Sequence, residues 1–458
     1  MQTKSIALVL GPIVACMATA LMWFSGGGET TAAITLGITL LTVVWWIFEP
    51  IPIPVTSLVP LALLPMFGVL TPQQLGAAYG HPLVLLLLGG FLLATALENC
   101  GAHRRIALTM VRAFGGTSSR RLVFGFMAAS AVLSMWISNT ATVIMLLPVA
   151  IAVLTSSKDP DLSTPLLLGM AWGASIGGMG TPIGTPPNIV FMGIYEEVTG
   201  ASISFATWMS WAMPIAIVLF PIAGFWVTRK LSYVGDVDLP DVGNWRTHER
   251  RVFIVFAITA FAWVTRTGPF GGWAGLLDVP YTNDAIVAFL GVVTLFLIPN
   301  GEGGKLLDWE AANKIPWGML LLFGAGISIA SAFMSSGLST VIGESLSHLS
   351  ELHLLVLIAT ICLSVTFLTE VTSNTATTTL LMPIMAAAAL AANADPKLFM
   401  IPAALSASCA FMLPVATPPN LIVFSTGRLP VATMAREGFA MNLFGVAIIS
   451  VMIYFILG

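Results

Sequence analysis

The sequence predicts an all-α polytopic membrane protein, from its composition, its long apolar runs and a duplicated pair of polar motifs. Hydrophobic residues make up 57% of the 458 residues and charged residues only 9%, whereas soluble globular proteins carry about 25% charged residues. Apolar blocks such as 6–24 and 31–48 approach the roughly 20 residues that a membrane-spanning helix needs. With 18 Lys and Arg against 21 Asp and Glu, the chain also lacks the basic surface of a nucleic-acid-binding protein.

Most apolar runs are uninterrupted and predict single helices. Charged residues or Pro/Gly-rich breaks separate them, at 5–24, 31–48, 53–70, 82–99, 207–228, 251–266, 283–299, 316–334 and 437–457. Four longer stretches are interrupted by polar or Pro/Gly clusters, at 121–155, 163–195, 352–392 and 397–425. We predict re-entrant hairpins for the first and third and half-unwound spans for the other two, because irregular backbone at membrane depth must be buried in protein or line a cavity. The prediction is about 11 transmembrane helices plus two re-entrant hairpins.

The basic residues predict an orientation. With the N-terminus in the cytoplasm, all but Arg266 and Lys397 of the 18 Lys and Arg fall on the cytoplasmic side. Because cytoplasmic loops collect positive charge, we predict a cytoplasmic N-terminus and an outer C-terminus, in the inner membrane of a bacterium. The Arg-rich segment 104–121 is predicted to be an amphipathic helix against the lipids of the cytoplasmic surface.

Two polar motifs occur twice, in the same order, within the broken stretches. The pentapeptide SNTAT stands at 138–142 and 373–377, and the segments PIGTPPN at 182–188 and PVATPPN at 414–420 form the second pair. The orientation above makes the two copies inverted, and inverted repeats with broken helices are typical of secondary transporters. Such motifs can also cap helices or form turns, but capping does not explain why helices break inside a membrane, where unsatisfied polar groups are costly.

The motif-bearing segments contain no cationic side chain. Lys, Arg and His are absent from 122–157, 159–228, 354–396 and 398–427. An anion there would be held by hydroxyls, side-chain amides and helix N-termini, which carry about half a positive charge. Carbonyls freed by unwinding, together with Ser, Thr and Asn oxygens, suit sodium, and bound sodium would supply the missing positive charge. Coulomb attraction would then couple the binding of cation and anion.

These motifs resemble those of the divalent anion sodium symporters, which carry di- and tricarboxylates. The likeness covers nearly the whole chain and includes WIFEPIP at 46–52 and TEVT at 369–372. It implies a homodimer in which a fixed scaffold carries a moving transport domain, an elevator. The chain would then divide into scaffold helices with the cytoplasmic interfacial helix (1–120), the first hairpin and broken helix (121–230), a second scaffold part (231–350), and the second hairpin, broken helix and last helix (351–458).

The resemblance also implies binding residues, and at least two sodium ions, since two neutralise a dianion. The first sodium site would comprise Ser134, Ser138, Asn139 and Gly184, and the second Thr369, Thr372, Asn374 and Ala416. The substrate carboxylates would lie against Asn139, Thr140, Thr185, Asn374, Thr375, Thr417 and Pro418.

The function so implied is sodium-coupled symport of C4 dicarboxylates such as succinate, malate and fumarate, since both Ser-Asn-Thr triplets are intact. Citrate and sulfate carriers of the family use close variants, and some relatives exchange dicarboxylates without sodium. The absence of basic side chains near the motifs favours sodium coupling. An enzyme is not expected, because the broken stretches contain no HExxH motif and no close pair of carboxylates. Glu370, four residues before Asn374, either tunes the second cation site or has a structural role.

Overall fold

The computed structural model describes residues 2–25, 30–114, 118–232, 243–268, 271–346 and 353–458. Across these ranges the regular structure is helical, apart from isolated bridge residues such as Pro299 and Lys305. The helices are α1 (Gln2–Ser25), α2 (Thr30–Phe48), α3 (Ile53–Thr56), α4 (Leu58–Met66), α5 (Pro72–Tyr79), α6 (Pro82–Cys100), α7 (Ala102–Phe114), α8 (Ser119–Ser134), α9 (Asn139–Ser156), α10 (Ser163–Gly178), α11 (Pro186–Thr199), α12 (Phe205–Thr228), α13 (Thr247–Thr265), α14 (Gly272–Leu276), α15 (Asp284–Leu297), α16 (Trp309–Ala312), α17 (Trp317–Ser335), α18 (Leu338–Leu346), α19 (Leu354–Thr369), α20 (Asn374–Ala391), α21 (Lys397–Ala407), α22 (Pro418–Phe424) and α23 (Val431–Leu457).

Length and composition identify many of these as membrane helices. In the described ranges, eight stretches are long and apolar enough to cross a bilayer: Lys4–Phe24, Thr30–Phe48, Pro72–Cys100, Asn139–Ser156, Phe205–Thr228, Trp317–Ser335, Asn374–Ala391 and Val431–Leu457. Shorter apolar helices lie at Ile53–Met66, Asp284–Leu297, Leu354–Thr369 and Lys397–Ala407. The chain is therefore an all-helical, multi-pass membrane protein.

Two predicted helices differ from the observed ones. The run 53–70 is divided at Ser57 into α3 and α4, three residues before Pro60, which has no N–H to donate to Thr56 O. The predicted interfacial helix 104–121 stops at Phe114 as α7, and α8 starts a new helix capped by Ser118. The prediction of one helix over 104–121 is wrong, whereas the predicted helix 53–70 corresponds to the apolar helix Ile53–Met66 with a turn at Ser57.

Two ion pairs, one at each end of α13, mark the two opposite ends of the helix bundle. At its first turn, Arg105 of α7 donates to Glu249 with an Nε–Oε2 distance of 2.8 Å, so this arginine faces a protein carboxylate rather than lipid. At the last turn, Arg266 donates to Asp284 with an Nε–Oδ1 distance of 2.6 Å. Arg266 is one of the two basic residues that the sequence predicts outside the cytoplasmic side. It lies at the opposite end of α13 from Glu249.

Helices α8 and α9 form the first hairpin. The hydroxyl of Ser119, at the start of α8, donates to Asp159 Oδ2 at 2.5 Å, just beyond the end of α9. The two arms therefore begin and end at the same end of the bundle. Arg120 Nη2 donates to Thr228 O at 3.5 Å and places this end beside the last turn of α12.

The second hairpin, α19 and α20, begins at the other end. Arg229 and Glu437 form an ion pair of 2.5 Å that joins the end of α12 to the start of α23. The ring of His353, just before α19, lies instead 6.1 Å from that of Tyr454, near the end of α23. Since the 27 residues of α23 span about 40 Å, the two hairpins start from opposite ends of the bundle, as inverted repeats require.

A row of glycines packs α10 against the first arm of the first hairpin. Gly169, Gly173 and Gly177 lie one helical turn apart, and a Cβ on Gly173 would come within 2.7 Å of Met127 O. A Cβ on Gly177 would come within 2.0 Å of Ala131 O. The two backbones are therefore in direct contact just below the first break.

Candidate functional site

The first break, at residues 135–138 between α8 and α9, is closed by side chains on both sides. The hydroxyl of Ser134, the last residue of α8, donates to Asn139 Oδ1 at the start of α9. The hydroxyl of Thr181, from the unwound segment between α10 and α11, donates to Met135 O. The hairpin tip and the broken helix are thus tied together.

Two glycines bring backbone oxygens close to Asn139. A Cβ on Gly178 would lie 2.7 Å from Asn139 Oδ1 and 3.3 Å from Gly184 O. A Cβ on Gly184 would lie 2.5 Å from Gly178 O and 2.9 Å from Ser134 O. Oxygens of Ser134, Asn139, Gly178 and Gly184 therefore lie close to these two glycines, and such carbonyl and amide oxygens suit sodium. Of the residues predicted for the first sodium site, the structure brings together Ser134, Asn139 and Gly184, and Gly178 lies beside them.

The second break, at residues 370–373 between α19 and α20, repeats this pairing. Thr369 occupies the position of Ser134, five residues before the asparagine, and its hydroxyl lies 2.7 Å from Asn374 Oδ1. The same hydroxyl lies 3.1 Å from Ala407 O, at the end of α21. Because a hydroxyl donates one hydrogen, only one of these acceptors is used at a time, and Thr369 keeps lone pairs for another ligand.

The final asparagine of each Thr-Pro-Pro-Asn segment holds its broken helix. Asn188 Nδ2 donates to the carbonyls 10 and 7 residues earlier, those of Gly178 at 3.0 Å and Thr181 at 2.7 Å. Asn420 Nδ2 donates at the same two spacings, to Ala410 O at 3.0 Å and Leu413 O at 3.1 Å. The Oδ1 atoms of both asparagines are buried, and the described residues offer them no hydrogen-bond partner. The repeat is therefore one of backbone geometry as well as sequence.

The other predicted sodium ligands are engaged locally. The Ser138 hydroxyl accepts the N–H of Ala141 at 3.1 Å and caps α9. The Thr372 hydroxyl lies 2.5 Å from that of Thr377. Ala416 is buried, and its N–H donates to Leu413 O at 3.2 Å. For Ser138, Thr372 and Ala416, sodium ligation stays a prediction.

The predicted substrate residues lie at helix N-termini. Asn139 and Asn374 are the first residues of α9 and α20, and Thr185 precedes the first residue of α11. At such termini, free N–H groups and the helix dipole favour an anion. Thr185, Thr375 and Thr417 are buried, Asn139, Thr140 and Asn374 are half-buried, and Pro418 is exposed.

The two halves of the repeat contact each other near the breaks. Helix α22 packs against α9, and α11 packs against α20, so each half of the repeat contacts the hairpin of the other. Trp172 of α10 donates from Nε1 to Phe411 O in the second broken segment at 3.2 Å. Their rings form an edge-to-face pair with centroids 5.8 Å apart. Both sets of oxygens therefore belong to one region of the protein.

Sequence reasoning missed several residues of this region. Gly178, Asn188 and Asn420 were not among the predicted ligands, although the two asparagines end both copies of the second motif. One serine pattern could suggest a hydrolase, since Ser175 stands in a GxSxG sequence. It lies inside α10 and is buried, not on the strand-to-helix turn that such a nucleophile needs.

Comparisons with known proteins point to the same family as the sequence motifs. The family model described as the sodium:sulfate symporter transmembrane region matches residues 2–457. The sodium-dependent dicarboxylate transporter SdcS of Staphylococcus saprophyticus is 39% identical over 477 residues, covering 98% of this chain and 91% of that relative. SdcS of Staphylococcus aureus strain MRSA252 is 37% identical over 478 residues, covering 99% of this chain and 91% of the relative.

The chain belongs to the divalent anion sodium symporter family. A symporter of this family is a membrane transporter, which agrees with the apolar helices and the inverted halves described above. The crystal structure of the YdaH transporter of Alcanivorax borkumensis matches the chain with a TM-score of 0.62 at 15% sequence identity, covering 86% of this chain and 89% of that one. At this identity the likeness concerns the fold.

Proposed function

We propose that this symporter couples the movement of C4 dicarboxylates, such as succinate, malate and fumarate, to that of sodium. The observation that carries the proposal is the duplicated cluster of oxygens around Asn139 and Asn374, set at helix N-termini in chain segments without Lys, Arg or His. The identity to relatives named sodium-dependent dicarboxylate transporters supports both the cation and the substrate class.

In this proposal each half holds one sodium ion. Ser134, Ser138, Asn139 and Gly184 form the first site, and Thr369, Thr372, Asn374 and Ala416 the second. The two carboxylates lie between them against Asn139, Thr140, Thr185, Asn374, Thr375, Thr417 and Pro418. Hydroxyls, amides and helix N-termini bind the anion weakly by themselves, so its affinity depends on the bound cations. Because the affinity for the anion depends on bound sodium, the binding of the two solutes is coupled.

We further propose that transport uses an elevator. Residues 121–230 and 351–458 form the moving part, and residues 1–120 and 231–350 form the scaffold of a homodimer. The end of the bundle that carries Arg105 and Arg229 faces the cytoplasm of a bacterial inner membrane, because positive charge is retained on that side. About 11 spans plus two re-entrant hairpins then place the N-terminus inside and the C-terminus outside.

One alternative substrate has an observation in its favour. The matching family model is described as a sodium:sulfate symporter region. Sulfate is a dianion that the same hydroxyls and helix N-termini could hold. Unlabelled sulfate, citrate and succinate in excess over labelled succinate separate these substrates, since only the true substrate competes strongly.

The decisive test is uptake of labelled succinate into proteoliposomes that contain the purified protein, with an inward sodium gradient or with choline on both sides. We expect uptake in sodium and none in choline. Uptake in choline that requires unlabelled dicarboxylate inside would contradict symport and indicate an exchanger. Asn139→Ala and Asn374→Ala should each abolish sodium-dependent uptake, and full activity in either would contradict the proposed sites.

A further inference from the structure

Three consecutive backbone N–H groups in the second broken segment are bound by two side chains. Phe411 N donates to Asn442 Oδ1 at 3.3 Å. Met412 N and Leu413 N donate to the two carboxylate oxygens of Glu370, each at 2.9 Å. These N–H groups lie outside α21, because that helix ends at Ala407.

The two side chains also bind each other. Asn442 Nδ2 donates to Glu370 Oε1 at 2.8 Å, so Asn442 links the tip of the second hairpin to α23. Both Glu370 oxygens act as acceptors, for three N–H groups in all, which is the bonding pattern of a carboxylate. Hydrogen bonds to a charged acceptor are about twice as strong as neutral ones, and both residues are buried.

Among the described residues, the first half shows no such arrangement. The residue in the position of Glu370 is Met135, and α10 continues to Gly178, the counterpart of Ala410. Just after Gly178, the N–H of Gly180 donates to a main-chain acceptor, Gly177 O, at 2.9 Å. At the position of Met412, Glu370 thus takes the place of the main-chain acceptor that Gly180 keeps in the first half.

We infer that Glu370 and Asn442 are positioning residues that hold 411–413 out of the helix and thereby keep the second sodium site preformed. The inference rests on the proposed function and deepens it. Thr369, whose hydroxyl faces Asn374 and Ala407 O, directly precedes Glu370, and Ala416 follows the bound segment closely. A change in the path of 411–413 therefore moves the oxygens on both sides of that site.

Two variants separate this positioning role from a simple effect of charge. Glu370→Gln keeps the shape but turns an NH₂ group toward a backbone N–H. Asn442→Leu removes the partner of Phe411 N and leaves the Glu370 charge in place. We expect both to raise the sodium concentration for half-maximal succinate uptake about tenfold, the effect of losing about 1.4 kcal/mol of sodium binding. At saturating sodium, the KM for succinate should return to within about threefold of the wild-type value. Met135→Leu, the matched control in the first half, should leave both constants unchanged.

A loss of sodium affinity in Glu370→Gln alone would show an effect of charge and overturn the positioning role. Unchanged sodium dependence in both variants would overturn it as well.

A second measurement keeps the test valid if these variants fold poorly. Val415 is 75% exposed and follows the bound segment, so Val415→Cys in the otherwise wild-type chain can be labelled with a maleimide and located by mass spectrometry. A preformed site predicts labelling rates within about twofold in sodium and choline, whereas sodium-ordered residues would be protected in sodium by much more. Wild-type uptake that ignores sodium would defeat the proposed function, while the labelling would still report whether the segment is fixed.

Discussion

The first and second halves of this symporter share a hydrogen-bond pattern and differ in how each break is held. In both, an asparagine from the Thr-Pro-Pro-Asn segment donates to carbonyls 10 and 7 residues earlier. The first half then relies on backbone contact, with Gly177 against Ala131 O. The second half relies on the side chains of Glu370 and Asn442.

This difference shows that one repeated geometry can be stabilised in two ways. Backbone contact depends on the absence of a side chain, so the first half should fail when a Cβ is added. Polar side chains depend on donor and acceptor chemistry, so the second half should tolerate changes in volume better than changes in polarity. Cys409, the counterpart of Gly177, already carries a side chain.

The largest expected effect comes from Gly177→Val. Its Cβ would lie 2.0 Å from Ala131 O, and neither backbone can give way without separating α10 from α8. Overpacking of a core costs about 1–3 kcal/mol when side chains can adjust, and we expect at least that here. The thermal unfolding temperature of the purified protein should fall by several degrees and uptake should be lost.

The matched change in the second half is Cys409→Ala. It removes one buried sulfur, and we expect a loss of about 1 kcal/mol with uptake retained. If Gly177→Val were as mild as Cys409→Ala, close backbone packing would not be what holds the first break.

A smaller effect is expected from Gly178→Ala, which sharpens the comparison at the site itself. The added Cβ would lie 2.7 Å from Asn139 Oδ1, and should displace that oxygen from the proposed first sodium site. The sodium concentration for half-maximal uptake should rise about tenfold, equivalent to about 1.4 kcal/mol. Ala410→Gly, the reverse change in the other half, should alter that concentration by less than about twofold, and equal shifts in the two variants would contradict the asymmetry.

Much of the fold and part of the site follow from sequence pattern alone. Long apolar runs predict the helices, and the duplicated polar motifs predict breaks within the long apolar stretches, because irregular backbone at membrane depth must be buried in protein or line a cavity. The sequence does not reveal the pairing of Glu370 with Asn442, which lie 72 residues apart. Nor does it reveal the turn at Ser57, because a proline such as Pro60 does not by itself mark a break: α12 continues past Pro214 and Pro221.

The smallest expected effect concerns Thr181, whose hydroxyl ties the first hairpin tip through Met135 O. In the second half its counterpart is Leu413, which is tied through its backbone N–H to Glu370 instead. Thr181→Val keeps the shape and removes one hydrogen bond, at a cost of about 1 kcal/mol. Because the glycine contacts remain, we expect a drop of a few degrees in unfolding temperature and a change of less than about fivefold in sodium affinity. Thr181→Ser keeps the hydroxyl and should leave both the unfolding temperature and the sodium affinity at their wild-type values. A loss as large as that of Gly177→Val would mean that the first half, like the second, is held mainly by side-chain hydrogen bonds.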